Sequence, residues 1–462
     1  MSLLTVQELV RAARGALVGG DLGVPVTGVS IDSRSLAVGE AFVAIRGYRL
    51  DGHAFVKDAA ARGASCLVVH TLPDEIPLGI PVILVDDTTR ALGRLAAFHR
   101  SRFSLPVVAV TGSNGKTTTK EMIAAILAAL GPVLKPEASF NNQWGLPLTL
   151  LRLAPEHRAV ALELGASRRG DIAALAEISR PTVGVVTVVS SAHTEFLGSL
   201  DGIQAEKASL VRAIPPEGAV VLNADDPRVL AMAGESRARV FTYSARGAAD
   251  VCAVGMLEAS PDGLVFTLDI GGTRRPVRLS FAGRHHGGNA LAAAAAGWAV
   301  GLRPLQIASG LEAARPAKGR SIWRRAGGLR ILDDSYNANP ASVLAALSTL
   351  QAARDAQRLV VVLGDMLELG AIGPEAHRAI GRAVAAAGVA EFIATGPLSR
   401  LAVEAAREAG LAESRHVAAW EDVARLLLKR LAPGDAALVK GSRGMGMERV
   451  VDALVARLGG GE

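Results

Sequence analysis

Hydrophobic and polar positions alternate along the chain in two repeating patterns. Short runs rich in Val, Ile and Leu are followed by longer segments in which Ala and Leu recur at helical spacing. This alternation is typical of α/β units that are built on parallel strands. The pattern therefore predicts an α/β fold. The runs that we predict to be strands cover residues 107–110, 159–162, 183–189, 219–222, 359–363 and 437–439.

The length of the chain indicates more than one domain. At roughly 100–200 residues per domain, a chain of 462 residues suggests about three domains. A turn-rich stretch at residues 103–106 precedes the first predicted strand, and another Pro- and Gly-containing stretch covers residues 314–320. We therefore predict a first domain over residues 1–100, a central domain over residues 101–314 and a C-terminal domain over residues 315–462.

Composition narrows the class of protein. Hydrophobic residues make up 50% of the chain and charged residues 20%, which argues against a disordered chain. Two cysteines, Cys66 and Cys252, are too few for a disulfide framework and favour a reducing compartment, so we expect a cytoplasmic protein. Thr5 and Glu8 form a capping-box pattern, which predicts an amphipathic N-terminal helix and no signal peptide. The most apolar stretch, residues 290–302, is too short to span a bilayer, so membrane insertion is not expected.

The charge of the chain says little about its partners. The net charge is +6, but the basic residues are scattered and form no run of five or more. We therefore expect no nucleic-acid partner. A polyanionic small substrate would also suit this excess of positive charge. A composition rich in Arg explains the excess without any partner. Only eight of the 50 basic residues are Lys, so a Lys at a special position is of chemical interest.

The clearest chemical signal is a glycine-rich loop between the predicted strand at residues 107–110 and a helix predicted over residues 121–130. Glycines let backbone N–H groups turn inward, and a helix N-terminus adds positive potential, so the loop predicts an anion cradle. Lys116 can reach the β- and γ-phosphates of a nucleotide, and the hydroxyl of Thr117 can bind Mg²⁺. Val110 replaces the first glycine of the usual spacing, and a simple Gly-rich turn is the alternative. The predicted ATP-binding residues of the loop are Gly112, Ser113, Asn114, Gly115, Lys116, Thr117 and Thr118.

The shortened loop, Thr-Gly-Ser-Asn-Gly-Lys-Thr, resembles that of the Mur ligases and the related folylpolyglutamate synthases, and the resemblance extends over nearly the whole chain. It implies a three-domain α/β protein. The expected domains are an N-terminal UDP-binding α/β domain, a central domain with a P-loop ATPase-like parallel sheet, and a C-terminal Rossmann-like domain that binds the amine substrate. The resemblance also implies an ATP-dependent ligase with ATP and Mg²⁺ as cofactors, in which no Ser or Cys nucleophile is needed.

Three further residues are expected to bind the metal ions by this resemblance. Glu163 ends a predicted strand, His193 follows the next one, and Lys207 lies on a predicted helix. A carboxylate at the carboxyl end of a parallel strand is well placed for Mg²⁺. In many Mur ligases the matching lysine is carbamylated, and we expect the same of Lys207. Taken alone, Glu163 is more simply an exposed charge, His193 a structural histidine and Lys207 a solvated lysine.

Other motifs match the family's nucleotide contacts. Asn289 matches an Asn that contacts adenine, although a cap for the helix that begins there is an equally good explanation. Arg320 matches an Arg that contacts the terminal phosphate, where a guanidinium suits developing charge, and it is otherwise one Arg among many. Asp334 matches a residue that holds the ribose. Asn339 and Pro340 predict the start of a helix.

Residues 333–340, Asp-Asp-Ser-Tyr-Asn-Ala-Asn-Pro, resemble one branch of the family. Members of that branch join D-alanyl-D-alanine to UDP-N-acetylmuramoyl tripeptide through an acyl phosphate. These two molecules are the expected partners, the catalytic residues are expected to be Lys116, His193, Lys207 and Arg320, and the protein is expected to be a monomer. The alternatives are another Mur-type ligase, a P-loop nucleotide switch or motor, and a non-catalytic UDP-sugar-binding protein.

Contacts with the UDP substrate are expected from two places in the chain. Ser33 and Arg34 lie in a segment that resembles the UDP-binding domain of this branch, and an Arg fork suits a diphosphate. Asn141 and Asn142 match a loop on the substrate side of the central domain. Strand ends and turn chemistry would explain these same residues without any ligand.

Overall fold

The computed structural model describes residues 3–47, 50–75, 79–137, 140–190, 197–260, 262–353 and 355–459, with only the backbone for Met256. It divides into two compact units. The first comprises Met1–Ala109, Leu130–Ala166 and Gly170–Thr182. The second comprises Val110–Ala129, Ser167–Arg169 and Val183–Glu462. Among the described residues, no helix has the length and apolar character to cross a membrane.

The N-terminal part of the first unit is built on a five-stranded sheet in the order β2-β7-β6-β5-β4, in which only β2 is antiparallel to its neighbour. The capping box of Thr5 and Glu8 starts the first helix, as its sequence predicts. The elements are β1 (Leu4–Thr5), α1 (Val6–Ala13), β2 (Ala16–Gly19), β3 (Pro25–Val26), β4 (Gly28–Ser30), β5 (Glu40–Val43), α2 (Val56–Ala61), β6 (Cys66–Val69), β7 (Val82–Leu84) and α3 (Thr88–Arg100).

A nine-stranded sheet in the order β16-β15-β14-β13-β12-β11-β8-β10-β9 forms the middle of the chain. Strands β11 to β14 pair in parallel, and β14, β15 and β16 form an antiparallel meander. Its strands are β8 (Val107–Thr111), β9 (Val133–Leu134), β10 (Ala159–Glu163), β11 (Val183–Val186), β12 (Ala219–Asn223), β13 (Arg239–Ser244), β14 (Val251–Ser260), β15 (Gly263–Ile270) and β16 (Thr273–Leu279). Its helices are α4 (Lys116–Leu127), α5 (Gly145–Leu150), α6 (Asp171–Ser179), α7 (Leu200–Ala213), α8 (Pro227–Leu230), α9 (His285–Ala299) and α10 (Pro304–Ala313).

The C-terminal part is a six-stranded sheet in the order β17-β18-β22-β19-β20-β21, parallel except for β17. Successive strand residues such as Val361 and Val362 pack into separate cores on the two faces of the sheet. Helices therefore cover the sheet on both sides, as a Rossmann-like fold requires. The elements are β17 (Ile322–Ala326), β18 (Leu329–Asp334), α11 (Pro340–Gln351), β19 (Leu359–Gly364), α12 (Gly373–Ala386), β20 (Glu391–Thr395), α13 (Ser399–Glu408), β21 (Ser414–Val417), α14 (Trp420–Arg430), β22 (Ala436–Lys440) and α15 (Glu448–Leu458).

The predicted α/β class is confirmed, and two element boundaries are corrected. All six predicted strands are present, but β11 ends at Val186 instead of residue 189. Helix α4 begins at Lys116, five residues before the predicted start at residue 121. It packs closely on α9 and α10, because Gly297 and Gly310 lie against Ile126, where a Cβ atom on either glycine would meet Ile126 within 2.6 Å. This packing fixes the helix that follows the glycine-rich loop.

Candidate active site

The glycine-rich loop joins the fully buried strand β8 to α4, in the order that the sequence predicts. Gly112 and Gly115 have φ angles of 150° and 82°, a region that glycine alone enters at little cost. A Cβ atom on Gly112 would lie 1.8 Å from Thr187 Oγ1, and one on Gly115 would lie 2.3 Å from Asn289 Oδ1. Both positions therefore require glycine, for conformation and for space.

The polar side chains of the loop are held in place. Lys116 Nζ donates a hydrogen bond of 2.8 Å to the carbonyl of Gly112, so the ammonium lies across the loop. Ser113 is buried, and the Asn114 amide donates to Ser190 Oγ at 3.2 Å. Thr117 and Thr118 are buried in the first turn of α4. Together with the N-terminus of α4, these groups form a local environment that suits phosphate.

Arg320, which precedes β17, reaches this loop. Its Nη2 lies 3.3 Å from Thr117 Oγ1, and its guanidinium carbon is 4.0 Å from the ring centre of Tyr336. Stacking on an aromatic ring and a contact with the loop hydroxyl orient the planar cation. Arg320 is therefore not one exposed arginine among many but a half-buried group at the phosphate loop.

A buried ion pair lies at the end of β18. Asp334 Oδ2 accepts a hydrogen bond of 2.5 Å from Lys440 Nζ, and Oδ1 accepts one of 3.0 Å from the N–H of Ser321. Lys440 also donates to the carbonyl of Asn337 at 2.8 Å. Burial lowers the pKa of Lys440, while the Asp334 carboxylate acts in the opposite direction. The carboxylate of Asp334 is thus fixed in position beside the segment that carries Arg320.

Asn289 does not cap its helix. Helix α9 begins at His285, with Arg284 as its cap residue and no side-chain cap bond, so the capping interpretation of Asn289 is wrong. Its amide nitrogen lies 3.2 Å from Nδ1 of His286, and its Oδ1 lies beside Gly115. Burial holds the pKa of His286 well below its ordinary value, so this imidazole is neutral. Asn289 therefore faces the loop from the first turns of α9.

Lys207 is buried on α7, with 4% of its surface exposed, so the interpretation as a solvated lysine is wrong. Burial and, to a smaller extent, the nearby charge of Lys116 lower the pKa of its amine to about 7, while Glu206 acts in the opposite direction. Lys207 consequently lies close enough to the phosphate loop for the charge on Lys116 to affect the pKa of its amine. A buried amine with this pKa is largely neutral at physiological pH.

Glu163 and Asn141 contact each other in the first unit. Glu163, the last residue of β10, is 2% exposed, which rules out a simple exposed charge. Its Oε1 accepts a hydrogen bond of 2.7 Å from the Asn141 amide. Asn142 has a structural task, because its Oδ1 accepts from the N–H groups of Trp144 and Gly145 at 3.1 Å and 2.9 Å and so starts α5. Its predicted contact with the substrate remains a prediction.

Ser33 and Arg34 lie in the turn that follows β4. Ser33 is buried, whereas the Arg34 side chain is 85% exposed. The Arg34 fork donates to both oxygens of Asp32, at 2.9 Å and 2.7 Å, and lowers the pKa of that carboxyl to about 2. The guanidinium is thus preformed for bidentate binding of an anion, with Asp32 as its present partner.

The predicted metal ligand His193 lies outside the described residues. Within the part of the chain that the structure describes, no group of three or more His, Cys, Asp and Glu side chains is arranged to hold a metal ion. The remaining predicted ligands are the Thr117 hydroxyl, the Glu163 carboxylate and the Lys207 amine. The first two are hard oxygen donors, which Mg²⁺ prefers, and the amine would become one only as a carbamate.

Two contacts of the loop escaped sequence reasoning. Asn339 caps α11 as predicted, since its Oδ1 accepts from Ser342, but its amide also donates to Asn114 Oδ1 at 2.7 Å. Thr187 Oγ1 donates to the carbonyl of Asn114 at 2.6 Å. Thr187 directly follows the parallel strand β11. Asn339 is the cap residue of α11, the helix that follows the parallel strand β18. That position is the signal that could have identified them.

Three protein-family models match the chain. They are described as Mur ligase family, catalytic domain, over residues 25–100, Mur ligase middle domain, over residues 110–297, and Mur ligase, glutamate ligase domain, over residues 319–443. The three matches follow one another along the chain and correspond to the three sheets described above.

Individual proteins are similar over nearly the full length. A UDP-N-acetylmuramoyl-tripeptide–D-alanyl-D-alanine ligase from Synechocystis sp. is 35% identical, over 99% of this chain and 98% of its own. The crystal structure of MurF from Acinetobacter baumannii aligns with a TM-score of 0.89 at 32% identity, over 98% of both chains. That of MurF ligase from Thermotoga maritima in complex with ADP aligns with a TM-score of 0.81 at 27% identity, over 93% of this chain and 97% of that one.

Proposed function

Since the chain belongs to the Mur ligase family, we infer that it is an ATP-dependent ligase that joins D-alanyl-D-alanine to UDP-N-acetylmuramoyl tripeptide in peptidoglycan synthesis. The structural observation that carries this conclusion is the meeting of Arg320 and Lys116 at the phosphate loop, beside the buried amine of Lys207. Arg320 contacts Thr117, and Lys207 lies near Lys116. These groups suit the transfer of a phosphoryl group, which nucleotide switches also perform, so the choice of a ligase over a switch rests on the family.

The reaction follows from the poor reactivity of a carboxylate. The terminal carboxylate of the tripeptide takes the γ-phosphoryl group of ATP and becomes an acyl phosphate, with ADP as the leaving group. The amine of D-alanyl-D-alanine attacks the acyl carbon, inorganic phosphate leaves, and the nitrogen loses a proton. The protein mainly positions the substrates and neutralises charge.

The loop and its neighbours hold the nucleotide in this proposal. Residues 112–118 bind the phosphates through backbone N–H groups and the Lys116 ammonium. Arg320 stabilises charge that develops on the transferring group, since its guanidinium is already oriented by Tyr336. Asn289 contacts the base and Asp334 the ribose. The fixed position of the Asp334 carboxylate supports that last assignment.

We assign Mg²⁺ to Thr117, Glu163, His193 and a carbamylated Lys207. The buried carboxylate, the hydroxyl and a carbamate oxygen are donors of the kind that Mg²⁺ prefers. The lowered pKa of Lys207 supports carbamylation, because only a neutral amine reacts with CO₂. A bound ion would neutralise phosphate charge, while the protein residues keep the acceptor carboxylate and the phosphates in register.

The UDP substrate is assigned to the first unit. Ser33 and Arg34 are proposed to bind its diphosphate, for which the Arg34 fork would exchange Asp32 for phosphate oxygens. Asn141 and Asn142 are proposed to contact the sugar-peptide end. The corresponding domain limits are residues 1–100, 101–314 and 315–462. A monomeric state, a cytoplasmic location and the lack of a nucleic-acid partner stay predictions.

The decisive experiment measures phosphate release from ATP in the presence of the UDP-tripeptide and a panel of amines. We expect D-alanyl-D-alanine to support turnover far better than D-Ala, L-Ala or D-Glu. Reactions that lack either the amine or the UDP-tripeptide serve as controls and should release little phosphate. A single amino acid that outperforms the dipeptide would contradict the branch assignment, and release that depends on a protein or polymer would favour a switch or motor.

A further inference from the structure

The segment from Thr187 to Ser190, here called the bracing segment, follows β11 and lies against the phosphate loop. Thr187 Oγ1 donates to the carbonyl of Asn114 at 2.6 Å. The Ser113 hydroxyl donates to the carbonyl of Ser190 and accepts from its N–H group, both at 2.9 Å. These bonds hold the backbone and a side chain of the loop, so the loop takes its position from the bracing segment.

The bracing segment is held from its other side by residues at the end of β12, just after it and in β13. The Asn223 amide donates to the carbonyl of Thr187 at 2.8 Å, and the Tyr243 hydroxyl donates to the same carbonyl at 3.1 Å. Asp226 Oδ2 accepts from the N–H of Val189 at 2.8 Å. The segment is therefore bonded on two sides, and Asp226 is the charged group among its holders.

Asp226 uses its two oxygens for separate tasks. Oδ1 caps α8 by accepting from the N–H groups of Arg228 and Val229, at 3.0 Å and 3.3 Å. Oδ2 is left for the N–H of Val189. A bond from an N–H group to a charged acceptor is roughly twice as strong as one between neutral groups. One carboxylate thus ties the start of a helix to the bracing segment.

We propose that Asp226 is a positioning residue for ATP: through Val189 it fixes the bracing segment, and through that segment it fixes Ser113 and Asn114 at the phosphates. The inference rests on the proposed function only in that the loop binds ATP. Asp226 itself touches no substrate. Its removal moves the N–H groups of the loop away from the phosphate oxygens, and small displacements of that kind weaken binding and turnover.

Asp225 is a matched control within the same turn. It is half-buried like Asp226, but its bonds go to the hydroxyl of Ser244 at 2.6 Å and to the N–H of Ala245 at 2.7 Å, at the end of β13. Each aspartate therefore accepts from one backbone N–H group outside its own turn. The two carboxylates differ in which element they hold, and only Asp226 holds the bracing segment.

The experiment compares Asp226→Asn with Asp225→Asn in the full-length protein. Asn is a good helix cap, so Oδ1 keeps α8 capped while the new NH₂ group opposes the N–H of Val189. We expect Asp226→Asn to raise the dissociation constant of a non-hydrolysable ATP analogue, and the KM for ATP, about tenfold, as for the loss of one hydrogen bond to a charged group. KM for the UDP substrate should not change, and both variants should lose similar thermal stability.

Asp226→Ser provides a second variant, since Ser also caps helices but does not reach Val189. An unchanged affinity for the ATP analogue in both Asp226 variants would overturn the proposal. An equal loss of affinity in Asp225→Asn would overturn it as well, because general destabilisation would then explain the effect. Calorimetry with the analogue needs no turnover. A failure of the ligase assignment would appear in the wild-type amine panel and leave this measurement intact.

Discussion

Substitution of Lys207 tests whether its amine is carbamylated. Burial and the charge on Lys116 lower the pKa of this amine from 10.5 to about 7. At a pH of about 7.5, an amine with that pKa is neutral in roughly three quarters of the molecules, against about one in a thousand for an ordinary lysine. The fraction that can react with CO₂ is therefore increased by several hundredfold. This difference would favour carbamylation of Lys207 over that of an exposed lysine.

The chemistry of the variants follows from this fraction. Lys207→Ala removes the amine that is proposed to carry the carbamate, and we expect turnover to fall about 100-fold, the upper end for the loss of a group that supports a metal site. Lys207→Arg should be no better, since a guanidinium stays protonated and forms no carbamate. Acetate should restore part of the activity of Lys207→Ala by supplying an anionic oxygen pair. Lys429→Ala is the control, because that lysine is exposed.

The assay is phosphate release at saturating substrates, together with ¹³C NMR in ¹³C-bicarbonate to observe the carbamate carbon directly. The pKa of Lys207 is lowered in the folded protein, so below about pH 7 the amine gains its proton and carbamate formation should decline. Two results would refute the reasoning. One is wild-type turnover in Lys207→Arg, and the other is a ¹³C spectrum that Lys207→Ala leaves unchanged.

Two further substitutions separate the nucleotide site from the UDP site. Lys116→Ala should lower kcat by about 10²–10³-fold, as for the loss of one group that stabilises the transition state. Circular dichroism and the melting temperature should stay near those of the wild type. Near-normal phosphate release from the folded variant would contradict a catalytic role for the loop. Arg34→Ala should raise KM for the UDP substrate about tenfold, as for a lost charge-assisted contact, and leave KM for ATP unchanged, because Arg34 is an exposed group that now pairs with Asp32. The opposite pattern of KM values would place Arg34 outside the UDP site.

The phosphate loop was predictable because its requirements are local. Gly112 and Gly115 adopt positive φ angles, and each lies against another side chain, so the sequence must carry glycine there. The buried strand before the loop follows from its continuous apolar run. The start of α4 was not predictable in the same way. Residues 117–119 are β-branched threonines with low helix propensity, and packing of these buried residues overrides that preference.

The antiparallel meander at the end of the nine-stranded sheet also escaped prediction. Strand β15 alternates buried and half-buried positions, which is the period of a strand with one face in the core. The strands were predicted from continuous apolar runs, which mark strands that are buried on both faces. Parallel strands such as β11 and β12 have that pattern, whereas an antiparallel strand near the sheet edge does not.

For several residues the sequence allowed two interpretations, and their positions in the fold distinguish between them. Lys207 and Glu163 fit exposed positions equally well by pattern, since a helix lysine and a strand-end carboxylate are usually solvated. Their burial depends on elements distant in the chain, which no local pattern records. Asn289 is a similar case. A helix start explains an Asn locally, but α9 begins four residues earlier, and its Asn289 side chain faces Gly115.

Asp225 and Asp226 show where prediction from sequence reaches its limit. Residues 223–226, Asn-Ala-Asp-Asp, begin at the carboxyl end of β12, and the rule that such ends line the binding crevice of an open α/β sheet identifies the stretch as a place to search. The rule does not distinguish the two aspartates. Asp226 caps α8, which leaves its second oxygen facing Val189, while Asp225 faces β13. A one-residue difference in the turn therefore decides which carboxylate holds the bracing segment, and only the fold contains that information.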